Sequence, residues 1–375
     1  MSLGIYLHIP FCDRICLYCD FAKEVAHSDK KDRYLDALIQ EMTFYKDSAK
    51  NANTLYIGGG TPTALSLSQL ERLFKAVQTI FPGPFEEFTL EGNPNHITHE
   101  MAELLALHGV NRVSLGAQTF NETQLKFLRR THQVNDVYHA VDCLRAVGIE
   151  NISIDCLFGL PNQSEEELRF DLEQLCALKV PHISYYGLIL EEKTALYQWV
   201  EQRRVEMPDD AVQARHYERV ITTLKAAGYE HYEISNFALE GRYSHHNLIY
   251  WRNLPYLGCG AGAHGRLENQ RYANERSVKK YIEAVHLQKT GLAYRYPFKA
   301  LEDTFLMGLR LHEGVYVPPL ENTHGFNLLK RYPKLDLLLK REWVTYRDGW
   351  LRLTEVGRYF GNEVFELFYG GDDDA

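Results

Sequence analysis

Residues 4–21 read Gly4-Ile5-Tyr6-Leu7-His8-Ile9-Pro10-Phe11-Cys12-Asp13-Arg14-Ile15-Cys16-Leu17-Tyr18-Cys19-Asp20-Phe21. The apolar run 4–9 has the composition of a buried strand, Pro10 closes it, and three cysteines in the spacing CxxxCxxC follow at once. Moving outward, residues 54–57, 87–90, 112–115, 151–157 and 182–188 carry the same strand signature. Amphipathic helical patterns occupy 31–45, 70–81, 99–107, 137–147 and 165–178 between them. Ser68 with Glu71 and Ser164 with Glu167 have the spacing of capping boxes, in which a hydroxyl and a carboxylate satisfy free N–H groups at a helix start. This alternation predicts six βα units around a parallel sheet, doubly wound or closed into a partial barrel. In such sheets loops converge at the strand ends, and the unusual residues sit there. Gly58-Gly59-Gly60-Thr61-Pro62 follows the second strand and Glu91-Gly92-Asn93-Pro94 the third. Gly116-Ala117-Gln118 ends the fourth, and the fifth carries Asp155 before Gly159-Leu160-Pro161.

The chain has 375 residues, enough for two or three domains, and its net charge of −9 argues against a general nucleic-acid binder. No stretch approaches the roughly 18 apolar residues that span a bilayer, so a soluble, cytoplasmic protein is expected. Seven cysteines are too few for a disulfide scaffold, and three of them crowd into residues 12–19 while Cys143, Cys156, Cys176 and Cys259 are scattered. Cys12, Cys16 and Cys19 could hold three irons of a [4Fe–4S] cube and leave the fourth open for chemistry. A structural zinc site is the alternative, but it wants four ligands and only His8 is near enough to be the fourth. Three unrelated free thiols are the other alternative.

The cysteine spacing and the glycine segment together resemble the radical S-adenosylmethionine (SAM) superfamily, whose fold is a partial (β/α)6 TIM-like barrel. In that family one iron of the cluster is left for the amino and carboxylate groups of SAM. Further matches narrow the resemblance to the branch holding the oxygen-independent coproporphyrinogen III oxidases (HemN type) and the heme chaperones (HemW type). They include residues 6–12, 91–94 and 111–118, Arg130, Asp155 with 159–161, and Tyr232-Glu233-Ile234-Ser235-Asn236. The resemblance implies that Tyr6, Tyr18, Gly59, Gly60 and Thr61 lie near SAM, and likewise Glu91, Gln118, Arg130 and Asp155. A carboxylate suits ribose hydroxyls or the ammonium, an arginine the carboxylate of SAM, and Tyr18 the adenine.

Two departures separate the chaperones from the oxidases. The oxidases carry a further cysteine two positions after the last of the three, where this chain has Phe21 in Cys19-Asp20-Phe21. The cluster loop also begins 12 residues from the start, without the extension that helps the oxidases enclose a second SAM and the porphyrinogen. His246-Asn247-Leu248-Ile249-Tyr250-Trp251 is similar to the HNxxYW motif of the chaperones, which makes His246 a candidate heme-binding residue. Tyr243, Cys259 and His264 are nearby alternatives for the iron ligand. The expectation is therefore a protein that binds a [4Fe–4S] cluster, SAM and heme and hands heme to acceptor proteins; coproporphyrinogen oxidation by a radical enzyme is the alternative. A flavodoxin- or ferredoxin-like electron donor and a transient membrane-protein partner fit that expectation, and nucleic acid does not. The expected domains are a radical SAM core at 1–225, a connecting region at 226–300, and a HemN-type C-terminal region at 301–375. The last reads as α+β and winged-helix-like, with a moderately basic helix at 328–341, a turn at Arg347-Asp348-Gly349 and a disordered tail at 370–375.

Overall fold

The computed structural model describes residues 2–369; the tail at 370–375, expected to be disordered, lies outside the described residues. All six expected strands are present: β1 (Gly4–Ile9), β2 (Thr54–Gly59), β3 (Glu87–Gly92), β4 (Arg112–Gln118), β5 (Asn151–Phe158) and β6 (His182–Gly187). They pair in sequence order and in parallel, with Ile9 opposite Gly59 at the ends of the first two. Helices α1 (Ser28–Phe44), α2 (Leu67–Ile80), α3 (His99–Leu107), α4 (Glu122–Phe127), α5 (Val134–Ala146) and α6 (Glu165–Leu178) make the crossovers. The capping box at Ser164 and Glu167 is present. The one expected at Ser68 is two residues out of register: Ser66 caps α2, its hydroxyl accepting from Gln69 N at 3.2 Å while Gln69 Oε1 accepts from Ser66 N at 3.1 Å. Glu71 instead pairs with Lys75 one turn on.

After α7 (Ala195–Glu201) and α8 (Asp210–Ala226), the stretch that reads as merely polar and aromatic extends the same sheet. Of β7 (Glu230–His231) and β8 (Asn236–Ala238), β8 pairs antiparallel with β6, and β7 pairs antiparallel with β8 at the sheet edge. Beyond α9 (His245–Trp251), β9 (Tyr256–Cys259) pairs in parallel with β1 and is a seventh parallel strand. β10 (His264–Leu267), β11 (Gln270–Asn274) and β12 (Leu292–Pro297), the last two flanking α10 (Val278–Gln288), continue that edge antiparallel to a total of twelve strands among the described residues.

One buried carboxylate ties this extension to the barrel. Glu41 of α1 is inaccessible to solvent and accepts from Gly260 N (2.8 Å), Gly291 N (2.7 Å), Tyr281 Oη (2.7 Å) and Asn274 Nδ2 (3.0 Å). Burial pushes its pKa up, and the four donors offset part of that cost. The C-terminal unit has its own apolar core, with Leu301, Phe305, Leu335, Leu351 and Phe368 at its centre. A three-stranded antiparallel sheet, β13 (Val315–Tyr316), β14 (Val344–Arg347) and β15 (Trp350–Leu353), packs with its helices. The helix expected over 328–341 is broken into Leu328–Arg331 and Leu335–Lys340, because Pro333 between them has no N–H to continue the ladder. Among the described residues no helix is long and apolar enough to cross a membrane.

Removing the Glu41 side chain orphans four buried donors at once. Glu41→Ala is expected to destabilise the protein by about 3 kcal/mol or more, and Glu41→Gln by less because the amide oxygen still accepts. Equal losses in denaturant unfolding of the two variants would contradict this account.

Candidate functional site

The cysteine loop is closed at its base by Cys12 N donating to Glu24 O (3.1 Å) and Glu24 N to Pro10 O (2.7 Å). Its middle is anchored by Leu17, fully buried against Leu128, Leu157, Leu160 and Leu188, whose backbone N–H donates to Leu128 O at 3.2 Å. With Leu17 fixed inward, the half-buried Cys12, Cys16 and Cys19 line one cavity of about 360 Å3 at the strand ends. Thr61 Oγ1 is 3.5 Å from Cys12 Sγ, and Arg130 Nη1 is 3.4 Å from Cys16 Sγ. Burial pushes the Cys12 thiol up to about 11, so an iron or another cation is needed to hold it as thiolate at neutral pH. His8 is no fourth ligand for zinc: its two ring nitrogens are hydrogen-bonded to Tyr6 Oη (2.9 Å) and Ala22 O (2.8 Å). Among the described residues no three His, Cys, Asp or Glu side chains close on one metal-sized point. Thiols spread around a cavity suit a cube of irons better than a tetrahedral ion.

The glycine segment lies against this loop because it has no side chains. Gly60 N donates to Ile9 O (2.9 Å) and Thr61 N to Phe11 O (2.8 Å). A Cβ on Gly60 would stand 2.9 Å from Phe11 O, and one on Gly59, whose φ is +115°, 2.4 Å from the His8 ring. Gly59 N donates to Glu91 Oε2 (2.9 Å), and Tyr56 Oη to Glu91 Oε1 (2.7 Å). Burial still outweighs these bonds and pushes the Glu91 carboxyl up to about 7. Asp155 accepts from Ser114 Oγ (2.9 Å) and Ser153 Oγ (3.1 Å), and burial raises its pKa too. Gln118 reaches the cavity through a register shift in β4 and a φ of +70°. Arg130 donates to Gly116 O (2.7 Å) and Asn93 Oδ1, while its buried Nε has no partner. A buried, unpaired guanidinium N–H beside a cysteine thiol fits an anionic group of a ligand.

Eight of the nine residues expected near SAM line this cavity or, for Asp155 and Gln118, its wall of inward-facing polar groups: Tyr18, Gly59, Gly60, Thr61, Glu91, Gln118, Arg130 and Asp155. Tyr6 instead lines a second cavity of about 950 Å3, which shares Tyr18, Cys19 and Phe21 with the first. His246 lines neither. It is fully buried where β1 and β2 begin, hydrogen-bonded to Thr54 Oγ1 (2.7 Å) through Nδ1 and to Tyr250 Oη (2.8 Å) through Nε2. Burial drops its pKa to about 3, so the ring is neutral with both nitrogens engaged. Sequence reasoning missed Tyr56, Arg112, Ser114, Ser184 and Tyr186, all lining the first cavity. The signal was a polar residue at every second position of an otherwise apolar strand, as in 112/114 and 184/186. Arg112 is buried near Glu87 (4.0 Å), and its charge lowers the cost of ionising Glu91 and Asp155.

A parallel barrel whose first strand ends in three cysteines and whose second ends in a glycine segment defines a radical SAM protein, and residues 6–175 match the family model of the Radical SAM superfamily. Residues 299–360 match the HemN C-terminal domain. The chain is 40% identical to the heme chaperone HemW of Lactococcus lactis over 366 residues, covering 97% of this chain and 96% of the relative. It is 38% identical to that of Bacillus subtilis (97% and 98% covered) and 32% identical to that of Escherichia coli (98% of each). The chain belongs to the HemW family. Its fold is shared with the coproporphyrinogen III oxidase HemN of Escherichia coli, at a TM-score of 0.84 and 24% identity over 98% of this chain and 90% of that one.

The Glu91 carboxyl ionises near 4.5 in the unfolded chain and near 7 in the folded one, so folding loses stability as pH rises between these values. Glu91→Gln has no such loss. The stability of the variant relative to the parent is expected to grow by up to about 3 kcal/mol between pH 5 and pH 8 and then to level off. Urea unfolding of the cluster-free chain at both pH values checks it, and a pH-independent difference would refute it.

Proposed function

We propose that this chain is a heme chaperone, which binds heme beside an iron–sulfur cluster and SAM and delivers it to acceptor proteins. The observation that carries this reading is the likeness to heme chaperones over 97% of the chain. Phe21, in place of the oxidases' further thiol, stands on the rim shared by both cavities and supports it.

Within this reading Cys12, Cys16 and Cys19 are the three ligands of a [4Fe–4S] cluster. Such a cluster, when bound, supplies an open iron to SAM and an electron for its reductive cleavage. The residues around it have separable tasks. Gly59 and Gly60 admit the methionine ammonium to the backbone, with Thr61 beside it, and Glu91 balances its charge. Arg130 offers its free Nε–H to the SAM carboxylate. Asp155 and Gln118 are placed for the ribose hydroxyls, and Tyr18 for the adenine. Tyr6 belongs to the wall of the second cavity. His246 acts on heme indirectly, by holding Tyr250, whose ring lines that cavity. The domain division proposed is 1–225 for the radical SAM core, 226–300 for the connecting region and 301–375 for the HemN-type C-terminal region. The cytoplasm, whose reducing poise keeps the thiols available, is the proposed location. A flavodoxin- or ferredoxin-like donor and a membrane-bound acceptor are the proposed partners.

The radical oxidase reading rests on the likeness in fold alone. Anaerobic reconstitution separates the two. The chaperone is expected to take up about four irons per chain, to give a saturable Soret shift on heme titration, and to form no protoporphyrinogen from coproporphyrinogen III with dithionite and SAM. Turnover of coproporphyrinogen, or heme binding that does not saturate, would overturn it.

A further inference from the structure

A heme ligand must offer a free donor atom to a space large enough for a macrocycle. His246 lines neither cavity and has both ring nitrogens engaged. Cys259 is wholly buried in β9 with its thiol pKa pushed far up by burial, and Tyr243 is tied to Glu230 and lines neither cavity. His264, the first residue of β10, is different. It is exposed to the second cavity, and neither ring nitrogen has a hydrogen-bond partner among the described residues.

The surroundings of His264 suit heme at both of its chemical ends. Tyr18, Tyr250, Trp251 and Tyr256 supply flat apolar wall. Phe21, Ile189 and Tyr294, exposed at 68%, 71% and 57%, give the same cavity an apolar edge. Two guanidiniums, Arg271 and Arg276, line the same cavity; burial first, and then these two charges, lower the proton affinity of His264 and favour the neutral imidazole with its lone pair available. Arg271 Nε is 3.1 Å from Asp303 and Arg276 Nη2 is 3.2 Å from Asp20, which leaves each with further N–H donors for a second carboxylate. The buried Nε1 of Trp251 also lacks a partner. One aromatic space thus holds a free imidazole, two cations and an unpaired indole N–H.

We propose that the second cavity is the heme site, that His264 coordinates the heme iron, and that Arg271 and Arg276 receive the propionate carboxylates. This rests on the heme-chaperone reading and assigns its ligand. His246 is then a positioning residue that holds Tyr250.

The test is hemin titration of the full cluster-loaded chain, read by dissociation constant and by the optical and EPR signature of the axial ligand. His264→Gly is expected to weaken binding about tenfold or more and to change the axial signature, with free imidazole restoring the parent spectrum. His246→Ala is expected to weaken binding while keeping the parent signature. Arg276→Gln is expected to weaken hemin but leave hemin dimethyl ester unaffected, because the ester lacks the carboxylates. An unchanged spectrum and affinity in His264→Gly, or imidazole rescue of His246→Ala in its place, would overturn the assignment while leaving the chaperone reading intact. Hemin that fails to saturate the parent chain would instead bring down the chaperone reading itself. Cluster content and circular dichroism equal to the parent show that each variant is folded.

Discussion

The contact on which the site depends is backbone against backbone, where the ends of β1 and β2 approach each other. Gly60 N bonds to Ile9 O and Thr61 N to Phe11 O, continuing the parallel ladder two residues past the strands. Side chains would forbid this, since Cβ atoms at Gly58, Gly59 and Gly60 would meet Glu91, His8 and Phe11 respectively at less than 3.0 Å. Several placements follow from the one approach. Cys12 comes to rest beside Thr61, Glu91 is reached by Gly59 N, and the cysteine loop has a fixed wall against which Leu17 can be buried.

The barrel interior carries a second constraint, because its inward positions are polar. Glu91, Asp155 and Arg112 are buried close to Glu87, and burial penalises the charged form of each of the first three. They are arranged to offset one another: Arg112 lies between the upper carboxylates and Glu87, and serine hydroxyls take up the lone pairs of Asp155. The lower end is stoppered by α9. Glu87 accepts from the His245 and His246 backbone N–H groups (2.8 and 2.9 Å), and the His246 ring fills the gap beside Gly4. A histidine buried in such a place is recruited for its two hydrogen bonds and its shape, and burial strips it of its proton.

This bears on what the sequence could disclose. The strands and the loops after them were legible, since short runs rich in β-branched and aromatic residues alternate with helical patterns and the glycines, cysteines and carboxylates gather at their ends. β9 was not legible. Its four residues, Tyr256-Leu257-Gly258-Cys259, are too short for a periodic signal and depend on β1 for their identity as a strand. The capping register of α2 failed because Ser66 and Ser68 are equally good caps locally, and the bond from Gln69 to the α1 side chain Asp32 (2.9 Å) favours the former. His246 stood out for its residue type, but type says nothing of whether a ring nitrogen is free. Only packing does: it encloses His246 and leaves His264, which the sequence offered merely as a nearby alternative, on the wall of the second cavity.

The loop after β1 has two faces, and that gives the position of Phe21 its meaning. Tyr18, Cys19 and Phe21 line both cavities, and Asp20 between them is held by Arg276 of the second. The same ten-residue span, 12–21, therefore supplies thiols to one space and a wall to the other. A thiol at position 21 would present a soft ligand on the shared rim. The phenyl ring there presents an apolar edge and leaves the iron chemistry to the three cysteines. With this wall and Leu157 of β5 held in common, the two cavities are neighbours across one short loop and one barrel strand.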